Sequence, residues 1–310
     1  MNRKFILLLC LVGLLSFTFQ ACEDEDNTAQ VGVCLKENTN DWRKGLKQQA
    51  EANLNKYGLR YRIYQTSDSR QNDTLLAMIN KGCEVLIIVP GTGNIESGLA
   101  EATKAGIPVV FAETAVGSNY ETLISIDNET IGKSAAGFFN DQTGLNKIAV
   151  FNVGQDPTTS SGRVAGFKSE LNAELKDKII EIPLANYAST DGKTAAEDIL
   201  NNPEYADVDA IYAQDDDIAL GVMEAIEANK SERIKVVVGC GGSSAFFKKI
   251  KDNETINLAT TLYSPAQFME KSVEVANNLL RGIQPESKTI QLSSTLIDRS
   301  NVDSFNNYQY

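Results

Sequence analysis

Two carboxylates stand where chemistry could be done on a small molecule. Glu113 and Asp215 each follow a short apolar, β-branched run. A pair of carboxyl groups facing one scissile bond could act as acid and base in glycoside hydrolysis, but nothing in their spacing favours that over simple acceptance of ligand hydroxyls. Asp215, Asp216 and Asp217 form an acidic triplet ahead of a helical stretch. Consecutive side chains point apart and no partner spacing completes a cation site, so no metal is expected; Asp217 reads as a helix N-cap and Asp215 as a ligand acceptor. Gly91-Thr92-Gly93-Asn94 also precedes a helix and could cradle a phosphate, although it matches neither G-x-G-x-x-G nor a P-loop. The chain has no His, which excludes a Ser-His-Asp triad and removes the commonest general base.

The elements that must hold such residues are legible in the apolar pattern. From Val31 onward, near-continuous apolar runs at 31–35, 85–89, 109–112, 148–152, 210–213 and 235–239 alternate with amphipathic stretches. That is the pattern of a parallel sheet covered on both faces, an α/β fold of doubly wound lobes. Trp42, Leu46, Ala50, Leu54 and Tyr57 share one helical face, as do Ile95, Leu99 and Ala102. Ser264-Pro265 starts a later helix as cap and first-turn Pro, closed by Gly282, and a last strand is expected near 288–297.

Ligands of open α/β sheets bind beyond the C-terminal ends of the strands. The residues there are Lys36, Asn40, Trp42 and Arg43 after the first run, Glu113 after the fourth, and Arg163, Tyr187, Asp215 and Gly241 in the second half. Tyr263 lies where the chain leaves that half. The set mixes carboxylates, guanidinium groups, amides and three aromatics without an ordered nucleophile–base pair. Aromatic faces suit the C–H faces of a sugar ring, and the polar groups suit its hydroxyls. Each has a plainer reading: Trp42 as the first apolar residue of its helix, Arg163 as a brace for the preceding loop.

At 310 residues the chain exceeds the usual size of one core, so two domains are expected. The net charge of −12 argues against nucleic acid as a partner. Arg3 and Lys4 followed by an apolar stretch of about fifteen residues read as a signal segment, too short for a comfortable bilayer span. Its end, Gln20-Ala21-Cys22, resembles a bacterial lipoprotein signal in which Cys22 is acylated; the plainer alternative is a secretory signal with a stray Cys. Residues 22–30 then form an acidic tether, either merely solvated or a surface-export tag. Cys34, Cys83 and Cys240 sit in apolar runs without disulfide or zinc spacing and read as small buried hydrophobes.

The stretch from Val31 to about Val302 resembles the periplasmic sugar-binding proteins of the ribose/galactose type, related to the effector domains of LacI-type repressors. AQDDDIALGVMEAI at 213–226, GRVAGF at 162–167, AGIPVVFAET at 105–114, SIDNETIGKSAAGF at 125–138 and VVVGCGG at 236–242 carry it through their order and spacing. The resemblance implies two lobes joined by three crossings near Ile126, Tyr263 and Ser293. Residues 31–126 plus 264–293 would form one lobe, and 127–263 plus 294–310 the other. It implies closure on a ligand held by Asn40, Trp42, Glu113, Arg163, Tyr187, Asp215 and Tyr263, with no cofactor and no enzymatic activity. It further implies an envelope-localised, lipid-anchored protein of a Gram-negative bacterium that delivers a sugar-like solute to an ABC permease or a sensor kinase. The alternative is a lipid-anchored carbohydrate-active enzyme using Glu113 and Asp215. Two departures stand out. The family carries an Asp where this chain has Gly241, and ribose binders carry an Asn where it has Val89. With Lys36 and Arg43 adding positive charge, the expected ligand is an anionic or substituted sugar rather than a plain aldohexose.

Overall fold

The computed structural model describes residues 29–37, 40–154, 156 and 158–310. The signal segment, Cys22 and most of the acidic tether lie outside them. Ala29 and Gln30, placed with the tether by sequence, already belong to the packed body: Ala29 is buried, and the Gln30 carbonyl accepts from the backbone N–H groups of Glu84 and Val85.

The first half runs β1 (Val31–Lys36), α1 (Asp41–Lys56), β2 (Tyr61–Thr66), α2 (Gln71–Asn80), β3 (Val85–Ile88), α3 (Glu96–Lys104), β4 (Val109–Ala112) and β5 (Thr122–Ser125). The second runs α4 (Asn128–Asn140), β6 (Lys147–Val153), α5 (Thr159–Glu170), the single turn α6 (Ala173–Lys176), β7 (Ile179–Leu184), α7 (Ser189–Asn201), β8 (Val208–Tyr212), α8 (Asp216–Asn229), β9 (Val236–Gly241), α9 (Ser244–Asp252) and β10 (Asn257–Leu262). There follow α10 (Pro265–Leu280), β11 (Thr289–Gln291), β12 (Leu296–Asp298) and a 3-10 stretch, Val302–Tyr308. The strands form two sheets, ordered β11-β5-β4-β3-β1-β2 and β12-β10-β9-β8-β6-β7. Every pairing is parallel except that of β12 with β10.

Strands β3, β4, β8 and β9 are buried along their whole length, because helices cover both faces of each sheet. In the first lobe, α1 and α10 cover one face through Leu46, Leu54, Phe268 and Val273, and α2 and α3 the other through Leu75, Met78 and Leu99. In the second, α7, α8 and α9 pack on one face and α4 and α5 on the other. Tyr57, expected on the buried face of α1, is instead its exposed C-cap, because the helix ends one residue before it. Ser264 caps α10 as expected, in a full capping box with Gln267.

The chain passes between the sheets three times: after β5, after β10, and between β11 and β12. The single strand expected near 288–297 is therefore two, one on the edge of each sheet. Helices α4 and α5 meet backbone to backbone. A Cβ on Gly132 would lie 2.0 Å from the carbonyl oxygen of Arg163, and one on Gly166 2.0 Å from that of Glu129. Gly192 and Gly221 do the same for α7 and α8. Close packing of this kind cannot relax around an added methyl group, so Arg163 is held at a fixed distance from the start of α4.

Candidate ligand site

Three of the predicted residues, Trp42, Glu113 and Arg163, meet at a fourth, Tyr263, which leaves β10 at the second crossing and is buried. The Trp42 ring stacks on it at 5.6 Å and 24°, and the indole Nε1 donates to the Tyr263 carbonyl at 2.8 Å. The Tyr263 hydroxyl donates to Glu113 Oε1 at 3.0 Å. The Arg163 guanidinium lies over the ring, 4.7 Å from its centre, a contact worth about 2 kcal/mol when desolvated. Glu113 comes from the first lobe and Arg163 from the second, so one aromatic ring bridges both walls.

Arg163 is 2% exposed. Its Nη1 donates to the Gln214 carbonyl at 2.7 Å and its Nε to Asn128 Oδ1 at 3.1 Å. Among the described residues no carboxylate comes within ion-pair distance of it. Glu113 and Gln214, each just beyond a strand, hold positive φ values of 71° and 51°. Such backbone costs about 1–3 kcal/mol and collects at functional sites. The Gln214 amide nitrogen donates to the Phe151 carbonyl, and Oε1 is buried without a partner among the described residues.

The N-cap role expected of Asp217 falls to Asp215. Asp215 is the N-cap of α8: its Oδ1 accepts from the backbone N–H groups of Asp217 and Ile218. The chain stays extended through Asp215, at φ −156°, so the helix begins earlier than the triplet suggests. Only one Asp215 oxygen is used in the cap. Asp216, given no role by sequence, is fully buried. It accepts from the Gly242 N–H at 2.8 Å, the Ser243 N–H at 2.9 Å and the Thr260 hydroxyl at 2.6 Å, tying α8 to β10 and to the loop after β9.

On the second wall, Tyr187 donates its hydroxyl to Asp156 Oδ2 at 3.2 Å. On the first, Asn40 caps α1 through its side-chain oxygen, which accepts from the Arg43 N–H at 3.0 Å, so half of its amide is used structurally. Lys36 and Arg43 lie near Asp68. Burial alone would raise the Asp68 carboxyl, but the backbone N–H and hydroxyl of Thr92 donate to it and hold it below its ordinary 3.8, with the two cations adding to the effect. Asp68 thereby fills the loop at Gly91-Thr92-Gly93. A Cβ on Gly91 would meet its Oδ1 at 2.0 Å, so the phosphate cradle that the sequence allows is closed by a carboxylate of the chain itself. Cys34, Cys83 and Cys240 are free and buried, and burial pushes the Cys240 thiol up to about 11. At Gly241, the room a side chain would take is occupied by the hydroxyl of Tyr310 and by the carboxylate of Asp216. Sequence gives no sign of that, because Tyr310 follows an irregular tail with no periodicity.

The acidic triplet makes stability depend on pH. Burial first, then mutual repulsion, raises Asp215 and Asp217, with Asp41 of α1 adding to Asp217; burial also raises Asp216. A carboxyl raised on folding binds protons more tightly in the native state. Its stabilising contribution is complete below the unfolded value of 3.8 and is lost as pH rises through the folded value. Asp68 and Asp156, which are lowered, act only at more acid pH. The melting temperature of the ligand-free protein therefore rises between about pH 8 and about pH 5, and Asp217→Asn flattens the slope. A thermal scan series that is level, or falls toward acid, over that range contradicts this electrostatic picture.

A family model described as the periplasmic binding protein domain matches residues 31–284. The ribose import binding protein of Bacillus subtilis is 28% identical over 257 residues, covering 81% of this chain and 82% of that protein. Among solved structures, the periplasmic binding component of the arabinose ABC transporter from Shewanella sp. ANA-3, bound to L-arabinofuranose, superposes with a TM-score of 0.76 at 22% identity. That match covers 88% of this chain and 93% of the other. The fructose-binding periplasmic domain of a hybrid two-component system reaches 0.74 at 22% identity, over 89% and 93%. At that identity the two structures establish the fold alone.

Proposed function

Because this chain belongs to the periplasmic binding protein domain family, we propose that it captures a small hydroxyl-rich ligand, a sugar or sugar derivative, between its two lobes and hands it to a membrane partner. The observation that carries the reading is the buried Arg163, without a carboxylate partner among the described residues, set over the Tyr263 ring that also binds Glu113. A hydroxylated ring can accept from the guanidinium and donate to the carboxylates of Asp215 and Glu113. Hydrogen bonds to charged groups contribute about 1.5–3 kcal/mol each, so three or four reach the roughly 8 kcal/mol of micromolar binding before ordering costs. The guanidinium, hydrogen-bonded to a carbonyl and an amide rather than ion-paired to a carboxylate among the described residues, supports an anionic or substituted sugar over a plain aldohexose. Closure about the three crossings would bury the ligand.

The envelope setting of the family supports an extracytoplasmic location, and Cys22 would supply a lipid anchor. Among the described residues no helix is long and apolar enough to cross a membrane. Relatives that serve import systems favour an ABC permease as partner, and the two-component neighbour keeps a sensor kinase as the second reading. The chain acts as a binder rather than an enzyme: Glu113 is engaged by Tyr263 and Asp215 by the α8 cap. Mass spectrometry of ligand released from the purified protein, followed by calorimetry with neutral sugars and sugar acids, tests the proposal. Tight binding of glucose, galactose or ribose would refute the anionic or substituted ligand. Sustained turnover of a chromogenic glycoside would replace binding by catalysis.

A further inference from the structure

We propose that Tyr310 is a specificity-determining wall of this site, supplying at Gly241 the polar group that the end of β9 lacks. The inference rests on the ligand-binding reading above and extends it to a residue far from every motif. The 3-10 stretch Val302–Tyr308 packs against α9 and α10 and carries the chain back to the crossing after β10, where the Ser264 hydroxyl donates to the Tyr308 carbonyl. Tyr310 is then clamped to the loop after β9 by two backbone bonds. Its N–H donates to the Gly242 carbonyl at 3.2 Å, and its carbonyl accepts from the Ser244 N–H at 3.1 Å.

The side chain spans the two lobes. A Cβ on Gly45 of α1 would stand 2.9 Å from the Tyr310 Cβ, and a Cβ on Gly241 would stand 2.5 Å from its hydroxyl oxygen. The ring therefore needs a glycine at each end, one in each lobe. Its hydroxyl lies among the carboxylates of the triplet, where burial first and those charges next keep it protonated. A phenol in that place offers a neutral donor. A carboxylate on the strand end would instead add a negative charge close to Arg163. The substitution of one for the other lowers the anionic charge of the site by one and selects for a ligand that carries its own negative group.

The test uses the full chain with Tyr310→Phe, Tyr310→Ala, Gly241→Asp and the Gly241→Asp/Tyr310→Ala double variant. D-ribose and D-glucuronate are the probes, read by calorimetry and by fluorescence of Trp42, the single tryptophan. Whichever probe binds the parent should bind Tyr310→Phe about tenfold more weakly. The double variant should shift preference toward ribose by a similar factor. Gly241→Asp should lower the melting temperature in both backgrounds, because the Asp216 Oδ2 would stand 2.8 Å from the added Cβ, and should lower it more with Tyr310 present than with Ala at 310. Unchanged affinity in Tyr310→Phe and Tyr310→Ala overturns the proposal, and so does tighter binding in Tyr310→Ala, which would make the ring a plug. If the parent binds neither probe, that failure falls on the sugar reading. The melting data then decide for Tyr310: non-additive effects at 241 and 310 support its seating in the site, and additive ones end the idea.

Discussion

Replacing Arg163 by Ala should weaken binding of the ligand recovered from the protein by at least about a hundredfold and also lower the melting temperature. Loss of two charge-assisted hydrogen bonds at about 1.5–3 kcal/mol each, at 1.4 kcal/mol per tenfold, accounts for the affinity. A residue that only met ligand could be truncated with little loss of fold stability. The geometry gives Arg163 a structural part as well. Arg163 holds the Gln214 carbonyl and the Asn128 side chain, and it covers the Tyr263 ring. Truncation leaves the Gln214 carbonyl without this donor and opens a void beneath an aromatic ring, so about 2–4 kcal/mol of stability goes with it. Arg163→Lys separates the two effects: it keeps a charge for the fold but loses the planar fork. Calorimetry and thermal melts on both variants give the answer, and unchanged affinity in Arg163→Ala removes the residue from the site.

The second large effect belongs to a residue that meets no ligand in this arrangement. Asp216→Ala should destabilise the second lobe by on the order of 4 kcal/mol, because it strands two backbone N–H groups and one hydroxyl in a dry interior at about 1–3 kcal/mol each. With about 2–4 °C per kcal/mol for lobes of this size, the melting transition should fall by roughly 10 °C. Its neighbours in the triplet provide the contrast. Asp217 is partly exposed, and Asp217→Asn, which removes a repelling charge, should raise the transition at neutral pH rather than lower it. A melting temperature for Asp216→Ala within about 2 °C of the parent would show that the buried network is not the link it is taken to be.

The two lobes and the parallel sheets were legible because buried parallel strands leave near-continuous apolar runs that fall in order along the chain, whereas the three crossings came from the family resemblance. Asn40, Trp42, Glu113, Arg163, Asp215 and Tyr263 were proposed for a related reason: a doubly wound sheet gathers the residues just past its strand ends along one edge. The failures are local. The N-cap was assigned to Asp217 instead of Asp215 because its position depends on where the extended backbone ends, which composition does not encode. The loop at Gly91-Thr92-Gly93 looked open because its occupant, Asp68, comes from a different segment. Tyr310 could not be seen at all, since its place depends on a tail that folds back across the molecule. Contacts set by long-range return of the chain carry no periodic signature.

The interleaved path of the backbone also bears on how such a chain comes into being. The first sheet lacks its edge strand β11 and the covering helix α10 until nearly three hundred residues have been made, and the second lacks Ile297 and Val302 of its core until slightly later. A polypeptide emerging from its amino end can therefore finish neither hydrophobic interior while most of it is still being threaded. Both halves are completed almost together, by the final stretch to appear.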